Sequence, residues 1–287
     1  MKVSRPYASK RGGPPSVTTI LDAMGGKHLE FGATKETALY VRHHLAEVTE
    51  MFGNDADGAV DHLRRHFRGV WDGRAAMGTL VHAVNEAWIG GETVDVAEMV
   101  AEMCRSERNA KTWTSRQDEV VSEALGYVDG LERFWTDFAP ITLSTEEVVR
   151  HTDNAHPYIG TRDWIAEVRG ELWLLDIKTT GEQDPLKGMY PDSWRLQLAA
   201  YRFADQIVDY DEDGKEAGVR DNYPVGRTGI LHLRGVGHCH LLSLRAERDE
   251  WATFLRLHDI HRWLTTGSKT PHPEVVVPSR LPEEALR

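Results

Sequence analysis

Apolar residues recur at helical spacing through the first half of the chain. Between Thr34 and about Gly69 they fall at Leu39, Val41, Leu45, Val48 and Phe52, with polar residues between them. In Met77–Trp88, Leu80, Ala83, Val84 and Ala87 form one stripe, which predicts a helix facing a core, with Gly78 allowing close approach to another backbone. A second long helix is expected from Thr114 to Phe138, with Val120, Val121, Leu125, Val128, Leu131 and Phe134 inward and Pro140 just beyond its end. The period then changes. Ile141–His151 reads as a strand, 157–168 alternates, and 171–180 is rich in Leu, Trp, Ile and Thr, with Arg169-Gly170 as the turn. Helical spacing returns from Ser193 to Val208 through Leu196, Ala200, Phe203 and Ile207. Strands at Gly229–Leu233 and His240–Leu244, joined by Gly235-Val236-Gly237, and an amphipathic helix from Glu247 to Leu264 complete the pattern.

This order predicts one compact unit of mixed α/β (α+β) class, a central mixed sheet flanked by helices. A flexible basic arm (1–15) leads into a helical region (16–140), which starts on the capped segment Ser16–Leu21. The sheet and its helices occupy 141–266, and an extended tail with four prolines occupies 267–287. Gly181–Tyr190 reads as a polar loop and Asp209–Pro224 as a charged, locally disordered one.

Composition narrows the function classes. With 287 residues, 40% hydrophobic and 28% charged, the chain is an ordinary soluble globular protein with no apolar run long enough for a bilayer. Two distant cysteines, Cys104 and Cys239, suit a reducing cytosol and argue against a cysteine-held zinc or iron–sulfur site. A net charge of −11 counts against non-specific coating of nucleic acid, although Lys2, Arg5, Lys10 and Arg11 make the arm basic. Arg64, Arg65 and Arg68 read as solvated helix surface. Gly25-Gly26-Lys27 is no phosphate loop, since Leu21 and His28 stand where Gly and Ser/Thr are required, so no ATP motor is expected. His238-Cys239-His240 at a hairpin shoulder reads as structural, and His258 and His261 as exposed.

The chemistry concentrates in the hairpin 158–180. With a two-residue loop, Val168 faces Glu171, and Asp163 lies opposite Asp176 on the same face, Cβ atoms roughly 5 Å apart. Lys178 shares that face, while Trp173, Leu175 and Ile177 turn to the core. Opposed carboxylates repel unless something positive joins them; Lys178 supplies some of that charge and a divalent cation the rest. A D-x-K triplet alone is common, but one ending the apolar run LWLLDIK demands a use for its charges. His82/Glu86 and Gln197/Tyr201 are each four apart on a helix face, by itself an ordinary pairing.

Four pieces in order resemble one family. Gly78-Thr-Leu-Val-His82, Gly160-Thr-Arg-Asp163, Asp176-Ile-Lys178 and Gln197 to Tyr201 resemble the G-x-x-x-H, G-x-x-D, D-x-K and Q-x-x-x-Y motifs of RecB-type PD-(D/E)xK nucleases, the branch with phage exonucleases and CRISPR-associated RecB-like nucleases. The resemblance implies a restriction-endonuclease-like core and Mg²⁺ or Mn²⁺ held by His82, Asp163, Asp176 and the Ile177 carbonyl. It implies that Lys178 activates the attacking water, that Gln197 and Tyr201 support the lysine, and that Gln197, Tyr201, Arg162 and Thr179 contact DNA. With two cysteines at unrelated positions, no iron–sulfur cluster is expected. The implied activity is that of a metal-dependent DNA exonuclease in recombination, repair or phage DNA processing, in the cytoplasm of a bacterium or infected host, beside a separate helicase or single-strand annealing protein. The alternatives are an endonuclease, a silent DNA-end-binding protein of the same fold, and a small-phosphate or sugar hydrolase.

Overall fold

The computed structural model describes residues 13–24, 29–180 and 191–266. The basic arm up to residue 12, Gly25–Lys27, the loop 181–190 and the tail 267–287 lie outside the described residues. Helix α1 (Val17–Leu21) starts on Ser16, whose hydroxyl accepts the Thr19 N–H at 3.1 Å, as an N-cap should. Helices α2 (Leu29–His43), α3 (Leu45–Asn54), α4 (Ala56–Ile89), α5 (Val96–Ser106) and α6 (Gln117–Phe138) follow. The apparently continuous periodicity of 34–69 hides two breaks. His44 leaves helical geometry, and Asp55 caps α4 by accepting the Gly58 N–H at 2.9 Å. Leu45 and Phe52, expected inside, are exposed, as is Leu125 of α6.

Among the described residues, seven strands form one sheet in the order β5-β4-β1-β2-β3-β6-β7. They are β1 (Ile141–His151), β2 (Tyr158–Val168), β3 (Glu171–Thr180), β4 (Gln206–Tyr210), β5 (Glu216–Asp221), β6 (Arg227–Arg234) and β7 (His238–Ser243). Helix α7 (Pro191–Arg202) precedes β4, and α8 (Arg248–Thr266) ends the fold. Neighbours are antiparallel except β3 and β6, which run parallel, so the sheet is mixed. One face packs on α4, α5 and α6 through Leu80, Val84, Val100, Leu131, Trp164, Leu175 and Ile177. The other packs on α1, α7 and α8 through Ile20, Leu198, Phe254, Ile165, Leu174 and Ile230. β3 is covered on both sides, which is why its sequence is a run of apolar residues rather than an alternation.

Three expectations are corrected. The helix after residue 191 stops at Arg202, not Val208. Ile207 and Val208 are both fully buried, one in each core, which is a strand covered on two faces and not a helix stripe. The charged loop after it is ordered: β5 pairs antiparallel with β4 and extends the sheet, with Arg150 of β1 ion-paired to Glu216 at 2.8 Å. His258 is buried rather than exposed, its Nε2 2.9 Å from the Pro157 carbonyl oxygen.

The hairpin register follows the turn. Arg169 and Gly170 both take positive φ, 54° and 79°, the geometry of a two-residue type I′ loop, and pairing runs from Val168↔Glu171 to Trp164↔Leu175. There it stops. Beyond that pair β2 follows β1 to Tyr158, while β3 follows β6 to Thr180. The two strands separate immediately before Asp163 and Asp176, leaving a fork in the sheet.

Candidate active site

The fork changes what alternation along β2 would give. Arg162 faces Tyr223 and Asn222 on the α7 side, whereas Asp163 and Trp164 both meet the α4–α6 layer, through His82 and through Phe134 and Trp135. Two consecutive residues on one side mean that the pleat is broken between them. Asp163 therefore does not stand beside Asp176 on a common face. Its carboxylate reaches into the fork, where Oδ2 accepts the Ile177 N–H at 2.9 Å and lies 3.7 Å from His82 Nε2.

Asp176 projects to the other side and is almost wholly buried. Its Oδ1 accepts the Gln197 Nε2–H at 2.9 Å, and its Oδ2 is 2.5 Å from Lys178 Nζ. Gln197 also donates to the Tyr201 hydroxyl at 3.1 Å. The amide thus holds the carboxylate that pairs with Lys178. Burial first and Asp163 second push the Asp176 carboxyl up to about 6, against the pull of Lys178. For His82, burial acts to lower the pKa, but Asp163 and Glu146 outweigh it and carry the imidazole up to about 9.

One glycine allows this packing. A Cβ on Gly160 would stand 2.6 Å from Tyr201 Cε1 and 3.0 Å from Val17 Cγ2, so only glycine lets Tyr201 and α1 close over β2. A Cβ on Gly78 would meet the Thr179 hydroxyl at an ordinary 3.6 Å, so the expected close approach to another backbone is not what calls for glycine there. Thr179 itself is half-buried on β3.

Arg162 requires a correction. Proposed from the sequence as a DNA contact, it is 1% exposed, ion-paired to Glu147, bonded to Asn222 Oδ1 at 2.9 Å and stacked 4.6 Å over the Tyr223 ring. Its charge is spent inside the protein. Its partner Glu147 is held below the usual carboxylate range, since Arg162 and Arg220 overcome the opposing effect of burial.

Glu146 is the site residue that the sequence reading missed. In the β1–β2 register, Thr145↔Trp164 and Glu147↔Arg162 flank it, so it lies opposite Asp163. Its Oε1 is 3.5 Å from His82 Nδ1. His82, Glu146 and Asp163 each offer a ligand atom within 4.8 Å of the others, a set that suits a divalent cation. The repulsion between Asp163 and Asp176 is a feature that such an ion would relieve. A cavity of about 810 Å³ between α3 and α4, lined by residues including His62, Arg65 and His66, takes in none of these groups.

A family model described as the PD-(D/E)XK nuclease superfamily matches residues 59–257, from within α4 to within α8. The chain belongs to the PD-(D/E)XK nuclease superfamily. The fold is that of a restriction-endonuclease-like nuclease, with Asp163 and the Asp176-Ile177-Lys178 strand at the fork of its sheet. Nucleases of this superfamily use divalent metals, and the cluster at His82, Glu146 and Asp163 is a candidate place for one. A search of curated proteins found no match. Among solved structures, one titled "Crystal structure of SSO0001" aligns at 13% identity with a TM-score of 0.32, over 65% of this chain and 84% of that one, too weak a likeness to argue from. Among the described residues, no helix is long and apolar enough to cross a membrane.

Proposed function

We propose that this nuclease is a divalent-metal-dependent deoxyribonuclease of the RecB-like branch, cutting DNA from an end to leave 5′-phosphate and 3′-hydroxyl products. The observation that carries the proposal is the pairing of Lys178 with buried Asp176 at 2.5 Å, at the fork that also gathers Asp163 and His82. A purely architectural role gives no reason to bury a carboxylate beside a second one and then cancel it with an ammonium.

His82, Asp163, Asp176 and the Ile177 carbonyl would hold Mg²⁺ or Mn²⁺. Bound there, such an ion supplies Lewis acidity at the phosphoryl oxygen and lowers the pKa of a nearby water. The chain's own groups do the rest. Lys178, fixed by Asp176, orients the attacking water and offsets negative charge on the phosphate. Gln197 keeps Asp176 in place through its amide, and Tyr201 fixes Gln197. Thr179 faces the DNA backbone, while Gln197 and Tyr201, buried as Arg162 is, act through Asp176. Water adds to phosphorus, the P–O3′ bond breaks, and the 3′ oxygen leaves with a proton. Exonuclease action, a role in recombination, repair or phage DNA processing, and partnership with a separate helicase or annealing protein follow from the motif resemblance.

The test is DNA labelled at either end, single- and double-stranded, incubated with Mn²⁺, Mg²⁺ or EDTA. Metal-dependent release of label that disappears in Lys178→Ala supports the proposal and gives the polarity. Intact DNA with every metal, alongside tight DNA binding, would turn the reading to a silent end-binding protein.

A further inference from the structure

Glu146 has the wrong backbone for its place. It lies inside β1 between Thr145 and Glu147, which pair with Trp164 and Arg162 of β2, yet its φ is 50°. A glutamate enters the left-handed region inside a strand only where the surroundings hold it there. Its neighbour Glu147 turns to Arg162, Arg220 and Tyr223, so the two carboxylates serve separate sets of partners. Glu146 instead faces α4, where its Oε1 lies 3.5 Å from His82 Nδ1. The other nitrogen of the same ring, Nε2, lies 3.7 Å from Asp163 Oδ2. Of the two carboxylates flanking the imidazole, Asp163 also touches the backbone of Ile177, next to Asp176. Glu146 is therefore on the outer side of the ring and Asp163 on the side of the fork.

An imidazole binds a cation through one bare nitrogen, and the proton then sits on the other. A carboxylate accepting that proton fixes both the tautomer and the ring plane. We propose that Glu146 is a positioning residue that accepts the His82 Nδ1–H and so presents the Nε2 lone pair to a cation shared with Asp163. The kink at residue 146 is what aims the carboxylate. The inference rests on the metal-dependent reading given above and deepens it. Of the three groups near enough to ligate, His82 and Asp163 then take the cation, and Glu146 acts through His82.

The experiment is Mn²⁺ titration of the DNA-free full chain by calorimetry, for wild type, Glu146→Gln, His82→Ala and the double variant. Melts in EDTA first establish that each is folded. Glu146→Gln, which keeps the side-chain volume, is expected to weaken Mn²⁺ binding by about 10- to 100-fold. In the His82→Ala background the same change is expected to cost nothing further, since the ring that Glu146 holds is gone. Glu146→Asp, which keeps the acceptor on a shorter stem, is expected to recover some of the affinity. Wild-type affinity in Glu146→Gln overturns the inference and leaves the nuclease reading standing. An undiminished second loss in the His82→Ala background also overturns it, because Glu146 would then bind the cation directly. Absence of Mn²⁺ binding by wild type overturns the metal-dependent reading and the inference with it.

Discussion

Asp163 Oδ2 accepts the backbone N–H of Ile177 at 2.9 Å, the bond that β2 would have supplied had the two strands stayed paired. A side chain thus completes a ladder that the fork interrupts, and it ties one carboxylate of the site to the strand that carries the other. The two acids are consequently unequal, and removing them is expected to have unequal effects on the fold.

Asp163→Ala is expected to lose cleavage and to lower stability in EDTA by about 1–3 kcal/mol, because the Ile177 N–H is left half-buried without its acceptor. Asp176→Asn is expected to lose cleavage with no drop in melting temperature in EDTA, since a buried charge and its repulsion with Asp163 are removed. Thermal melts of the two variants decide the matter. Equal destabilisation by both would mean that Asp176 is chiefly a structural ion-pair partner.

Arg162→Ala is expected to destabilise by about 3–5 kcal/mol, because Glu147 would be left buried without its main counter-ion. If enough Arg162→Ala protein folds to be assayed, the salt dependence of DNA affinity should match wild type, as a buried guanidinium releases no counterions. A shallower salt slope would restore Arg162 to the DNA surface.

Gly160→Ala is expected to cost about 1–3 kcal/mol by overpacking and to shift Tyr201, whose ring would meet the new methyl at 2.6 Å. Since Tyr201 bonds Gln197 and Gln197 bonds Asp176, activity should fall by more than the loss of folded protein explains. The readout is turnover per folded molecule well below the melting temperature. Unchanged turnover would show that this chain of contacts does not set the site.

In EDTA, stability should fall as pH rises, in two windows. The folded pKa of Asp176, about 6, lies above its ordinary 3.8, and that of His82, about 9, above its ordinary 6.5. Each raised group binds its proton more tightly in the folded protein, so its contribution is complete below the ordinary value and vanishes above the folded one. His82→Gln should flatten the melting profile between 6.5 and 9. Mn²⁺ competes with those protons, so its affinity should rise with pH over the same interval, with proton release detectable in buffers of different ionisation enthalpy. A melting profile identical in wild type and His82→Gln would refute the electrostatic picture of the ring between two acids.

Much of the fold was legible because the signals were local. Ile141–His151 is legible to the residue, since Pro140 ends the preceding helix and a stretch of strand-forming residues begins at once. The Arg169-Gly170 turn set the β2–β3 register, because a two-residue loop leaves no freedom in pairing. Glu146 was not legible. The connection between β1 and β2 covers 152–157, too long to fix a register, so nothing in the string says that residue 146 meets residue 163. The strand at 206–210 was lost for a related reason: Ile207 continues an apolar spacing begun in α7, and only burial of Val208 in a second core shows the change of geometry.

The sequence by itself determined the long helix α6, the strands β1 to β3 with their hairpin, and the residue types that mark the family, because these depend on neighbours a few positions apart. Tertiary structure alone decided that β2 and β3 diverge before Asp163, that Arg162 turns inward while Asp163 enters the fork, and that Glu146 closes on His82. Those outcomes depend on which surfaces meet. α1 and Tyr201 fill the space over Gly160, α4 brings His82 to the sheet, and the fork is where both layers reach the gap between two strands.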